Sequence, residues 1–171
     1  MPLSNTRIAV EVSGILTKAL DLAEGSAPFP LTAALALLNG VGAGQADQVF
    51  ADTRTLGISA SEDLDIATGG GLLNAFGDAI AMARMKVLIV AAAAGNTNNV
   101  EVSRPATNGV PWAVAAGDAL AIAPGEFKVL VARGDATGIV VTAATADLIH
   151  FLNTGAGTSV TYTVIIIGCS S

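Results

Sequence analysis

The sequence predicts an all-β protein, a single β-sandwich of jelly-roll type, on three observations. Apolar and polar residues alternate with a period of two over most of the chain, as strands with one buried face require. Turn signals made of Gly, Asn and Pro recur at roughly eight-to-twelve-residue intervals, the spacing of sandwich and barrel strands. The 171 residues suffice for one substantial core, and two domains would be cramped. The domain is therefore expected to cover 1–171, with 1–7 as an N-terminal arm.

Taken in order, Ile8, Val10 and Val12 alternate with Ala9 and Glu11 and read as the first strand. Leu31 to Leu38 forms the next and runs into Asn39-Gly40, a dipeptide favoured in tight hairpin turns because both residues tolerate positive φ. Beyond Gly40-Val41-Gly42-Ala43-Gly44, alternation resumes from Gln48 to Thr55, which predicts a hairpin with a flexible glycine tip. A short strand follows at Asp63 to Ile66. Leu72, Leu73, Phe76 and Ile80 have helical spacing, so a short helix or a compact loop is expected near 72–80. Met82 to Ala94, with Val87-Leu88-Ile89-Val90 at its centre, is apolar on both faces and belongs in the middle of a sheet. The turn Gly95 to Asn99 leads to Val100-Glu101-Val102. Strands at Ala119 to Ile122, Phe127 to Val131, Ile139 to Thr142, Leu148 to Leu152 and Val160 to Ile167 complete the set. Eight or so strands suit a jelly roll, whose two sheets leave few exposed edges. No internal repeat or low-complexity linker interrupts the chain.

Composition says more about assembly than about chemistry. Only 13% of residues are charged and 52% are hydrophobic, with a mean hydropathy of +0.64. Soluble domains carry about 25% charged residues. Interface cores shed charge, so much of this surface is expected to be covered by other copies or another protein. The net charge of −6 and the scattering of the eight basic residues argue against a nucleic-acid partner. The longest apolar run, Val87 to Ala94, is far below the roughly 18–20 residues of a membrane span, and the first residues lack the order of a secretory signal. Cys169 is the only cysteine, which leaves no internal disulfide and suggests synthesis in a cytoplasm.

Candidate chemistry is sparse. His150, the only histidine, would have to be the base of any Ser/His/Asp triad, but it lies on the strand face opposite Ile149 and Phe151, and no Gly-x-Ser-x-Gly elbow accompanies it. Cys169 has no neighbouring base in sequence. One His and one Cys cannot build a usual zinc site. Asp63 and Asp65 share a strand face and are the candidates for a hard cation, with a solvated acidic face as the preferred reading. The same pair could act as glycosidase carboxylates, but aromatic platforms for sugars are scarce at 4% aromatic residues. The glycine runs at 40–44 and 69–71 lack the spacing of a dinucleotide or phosphate loop and read as turns. No cofactor and no enzymatic activity are expected.

Several segments together resemble a family of small virion proteins of tailed bacteriophages and prophages: Leu37 to Phe50 with its glycine loop, Asp52 to Leu56, Glu62 to Ile66, Leu72 to Gly77, and Asn153 to Tyr162 before a final apolar strand ending at Gly168. The resemblance spans about Ala19 to Gly168 and implies a β-rich structural component of the particle. The role it implies first is a capsid decoration, or cement, protein that binds the major coat protein on the outer shell, as a homo-oligomer and often a trimer. A tail or baseplate subunit and a receptor- or carbohydrate-binding module are the alternatives; for the last, Trp112 with Glu101 and Asp118 is the candidate cluster. The expected location is the virion, after synthesis in the host cytoplasm. The partner-binding candidates are Pro2, Leu3, Ser4, Asn5, Thr6, Gly40, Gly42 and Gly44, in two segments with little apolar content of their own, expected to be mobile until they meet a partner.

Overall fold

In the computed structural model, which describes residues 3–67, 69, 71–132 and 138–171, fourteen strands and no helix are found. Eight strands make the body: β6 (Gln48–Leu56), β7 (Ser61–Asp65), β8 (Arg84–Ala92), β9 (Val100–Ser103), β10 (Ala119–Ile122), β11 (Phe127–Val131), β13 (Leu148–Asn153) and β14 (Val160–Cys169). They form two antiparallel sheets, ordered β11-β8-β14-β6 and β10-β9-β13-β7, with the short β12 (Ile139–Val140) added beside β8. Numbered one to eight along the chain, the body strands fall in the orders 6-3-8-1 and 5-4-7-2, the winding of a jelly roll. Consecutive body strands lie in opposite sheets, so each link crosses the sandwich except that from β9 to β10, which are hydrogen-bonded neighbours.

The alternation that identified the strands also builds the core. Phe50 and Leu56 of β6, Leu88 and Val90 of β8, and Val160, Tyr162, Val164 and Ile166 of β14 face Leu64, Val102, Ile149 and Phe151 of the opposite sheet. Tyr162 and Phe151 stack with centroids 4.6 Å apart. As expected, β8 is central, paired on both sides.

One break in the alternation has consequences. Ile167 lies opposite Val87 but Gly168 lies opposite Met85, so Lys86 is the extra residue of a β-bulge. Met85 and Leu88 both reach the sandwich core, while Val87 turns to the outer face. At this point a Cβ on Gly168 would sit 2.2 Å from the carbonyl oxygen of Arg84, so only glycine fits.

Residues before the body form a separate layer. Strands β1 (Thr6–Val12), β4 (Leu31–Asn39) and the two-residue β5 (Gln45–Ala46) make a small sheet ordered β1-β4-β5. Its root lies on the outer face of the five-stranded sheet: Leu37 and Ala46, with Leu3, Ile8 and Leu35, pack against Val87, Ile89, Ile165 and Ile167. From this root a hairpin arm extends, β2 (Ile15–Ala19) paired with β3 (Glu24–Pro28). At the arm's base Phe29 donates its backbone N–H to the carbonyl of Gly14, and its ring occupies the space a Cβ there would need.

One expectation needs correction. Strands 31–38 and 48–55 are not a hairpin: β4 pairs with β1 and, in parallel, with β5, whereas β6 pairs with β14. The arm at 15–28 was not anticipated. Near 72–80 the compact loop is found and the helix is not, since Leu73 bridges Ala79 around a turn capped by Asn74 Oδ1.

Candidate interaction surface

The N-terminal layer holds most of the partner-binding candidates and brings them together. Pairing of Thr6 with Leu37 sets the 3–6 segment beside the glycine loop, and Leu3 donates its N–H to Asn39 Oδ1 at 2.8 Å. Leu3, Ser4, Asn5 and Thr6 line one side of an open groove that also takes in Leu38, whose side chain is exposed. Pro2 and the 133–137 segment lie outside the described residues. The glycine loop is tethered rather than loose. Gly42 N–H donates to Gln45 Oε1 at 2.8 Å, and the carbonyl of Gly42 accepts a 2.7 Å hydrogen bond from Lys86 Nζ. Lys86 is fully buried, and the bulge is what aims its chain out of the sandwich toward the loop. Gly44 sits at φ +66°, a conformation that disfavours any larger residue.

The surface that sequence reasoning missed is the arm. Of the eighteen exposed large apolar side chains among the described residues, ten fall between Val10 and Val41. Leu22 at the arm's tip is 97% exposed, and Ile15, Leu16, Leu20 and Phe29 are all more than half exposed. The signal was present in the sequence: Ile15 and Thr17 are β-branched, and Gly14 and the prolines 28 and 30 bracket the segment.

The other candidate sites are tied into local structure. Asp63 Oδ1 meets His150 Nδ1 at 2.6 Å across β7 and β13, and Asp65 Oδ1 accepts from Ala67 N–H. Among the described residues, no three acidic, His or Cys side chains are grouped to hold a metal. Ser103 lies opposite His150 in register, so Ser, His and Asp form one row on β9, β13 and β7. The amides of β9 are engaged by strands on both sides, which leaves no ready oxyanion cradle beside Ser103.

Where β6 and β7 close the open side of the sandwich, Glu62 is held by three groups. Arg54 Nε donates to its Oε2 at 2.8 Å with Nη2 at 2.5 Å, Tyr162 donates to its Oε1 at 2.7 Å, and Arg54 Nη1 also bonds Asp52. The hydrogen bonds to Glu62 hold the guanidinium charged well above its ordinary range. Burial, then the bond to Glu62, pushes the Tyr162 phenol far above its usual value. Both carboxylates are engaged by the arginine, so this is a seal between sheets. Trp112 is half-buried against the core with its Nε1 inside, and with Asp118 it lines a groove of about 300 Å³. Glu101 belongs to β9 and is not part of that groove. Cys169 is buried. No helix among the described residues is long and apolar enough to cross a membrane.

No family model, curated protein or solved structure matches the chain.

Proposed function

We propose that this protein is a structural subunit of a tailed-phage particle, a decoration protein that binds the major coat protein on the outside of the shell as a homo-oligomer, with a trimer expected. The observation that carries the reading is the gathering of exposed apolar side chains into one N-terminal layer beside a charge-poor body. An apolar patch of this kind marks a surface that spends its working life covered. The resemblance of the 37–77 and 153–168 segments to small virion proteins supplies the biological setting. The Leu3-to-Thr6 segment and the adjoining glycine loop supply the surface that meets the coat, since they lie side by side and present Leu38 between them.

The test is binding of purified protein to particles stripped of their outer proteins, followed by immunogold labelling. Saturable binding to heads, weakened at least tenfold by Leu38→Asp with an unchanged melting temperature, is the expected result. Labelling confined to tails would move the protein to a tail or baseplate role. Absence of binding to any part of the particle would overturn the reading.

A further inference from the structure

The outer face of the five-stranded sheet can be read in rows across β11, β8, β14 and β6. The row Val131, Val87, Ile167, Val49 lies at the level of the N-terminal layer, where Leu37 and Ile8 pack on it. The next, Val129, Ile89, Ile165, Ala51, is partly covered. The third, Phe127, Ala91, Thr163, Thr53, is the most open among the described residues: Phe127 is 64% exposed, Ala91 is half-buried, and Thr53 and Thr163 are exposed, their hydroxyls bonded to each other at 3.0 Å. No residue of these three rows is charged.

The β1–β4 ribbon has the complementary shortage. Its inner face runs Leu37, then the pairs Ile8–Leu35, Val10–Ala33 and Val12–Leu31. The first three of these side chains rest on the sheet; Val10, Val12 and Leu31 continue the same face but are 42%, 46% and 59% exposed. The β2–β3 arm beyond them is a two-stranded ribbon whose β2 residues are all exposed, and such a ribbon is marginal in water unless something packs on it.

We propose that the overhanging β1–β4 face and the β2–β3 arm of one copy cover the open Phe127–Thr53 row of a second copy, in a head-to-tail contact that closes into a ring. The occupant is a second copy because the ribbon's own root shows what this face packs on, and every copy carries an uncovered stretch of that same sheet. The charges agree, since the receiving rows have none and the arm sets Lys18, Asp21 and Glu24 toward its far end. The extent agrees as well: the chain from Val10 to Ala33 is of the order of the 20–30 residues per side that a standard stable interface uses. Because donor and acceptor surfaces differ, the contact is heterologous, and rotational closure gives a cyclic oligomer.

The inference concerns self-association alone, so it can fail while the particle role stands. Leu16→Asp alters the donor arm and Thr163→Arg the receiving row, and both positions are exposed, so neither should disturb the fold. Light scattering after size exclusion should find the wild type as a closed oligomer and each variant as a monomer with an unchanged melting temperature. Mixing the two variants should give a heterodimer, because one intact donor can then meet one intact acceptor. A second readout pairs Leu16→Cys with Thr163→Cys, expected to form disulfide-linked multimers; the native Cys169 is buried. A monomeric wild type at tens of micromolar would overturn the proposal, including the case where the arm variants lose only particle binding, which would assign the arm to the coat. Oligomers that persist in both variants, or a mixture that stays monomeric, would overturn it equally.

Discussion

The jelly-roll body and the N-terminal layer solve opposite problems with the same strand pairing. In the body, β14 is paired along both edges and buries Val160, Tyr162, Val164 and Ile166 completely. In the layer, β2 buries nothing, and Leu37 is the only fully buried large side chain between residues 3 and 44. Hydrogen-bonded strands alone therefore do not tell a core from an interface. What separates them is whether a second apolar face lies opposite.

The sharpest way to probe that contrast is to remove comparable apolar groups from each region. Phe151→Ala deletes a fully buried ring stacked on Tyr162 and should cost about 3–5 kcal/mol, read by denaturant unfolding. A loss below about 1 kcal/mol would mean that the two sheets are not packed as described.

The second probe uses alkali. A phenol in an unfolded chain ionises near pH 10, whereas Tyr162 is held protonated well above that by burial and by Glu62. The raised native value means its stabilising contribution is complete below about pH 10 and is lost as the pH climbs toward the native value. Stability should fall by up to about 1.4 kcal/mol per pH unit in that window. Tyr162 is the only tyrosine, so phenolate absorbance should appear together with the loss of β-sheet circular dichroism. Phenolate at pH 10 in a still-folded protein would refute the buried assignment.

At the join between the two regions, Lys86→Met strands the carbonyl of Gly42 and should cost about 1–2 kcal/mol. Amide exchange at Gly40 and Gln45, which are bonded within the loop, should speed up while β8 and β14 stay protected. Unchanged exchange would show that the loop holds itself.

The smallest effect belongs to the arm. Leu22→Ser should alter the melting free energy of a dilute monomer by less than about 0.5 kcal/mol, since the side chain is 97% exposed. A loss above 2 kcal/mol would make the arm part of the body.

The same contrast explains what could be read from the sequence. Body strands such as 100–102, 148–152 and 160–167 were legible because each has one dry face and a turn at its end. The layer was not, because its pairing is settled by distant partners. Asn39-Gly40 has the residues of a hairpin turn, yet β6 is claimed by β14 more than a hundred residues later. The arm at 15–28 lacks the buried face that alternation detects. Lys86 was hidden for another reason: a bulge shifts the phase of β8, and a charged residue inside an apolar strand gives no hint of which carbonyl it will reach. Asp63 and His150 were each singled out, but their pairing across β7 and β13 depends on register.

The position of β14 also sets a timetable. The sheet that the N-terminal layer rests on has β14 in its middle, and Thr53 must wait for Thr163, 110 residues further along. During synthesis the apolar arm and ribbon leave the ribosome ahead of the body, long before their landing surface exists. Such non-local closure makes folding slow and lengthens the exposure of unsatisfied strand edges. A charge-poor chain in that interval is a ready chaperone client, and its yield should depend on temperature and expression rate more steeply than the stability of the finished fold would suggest.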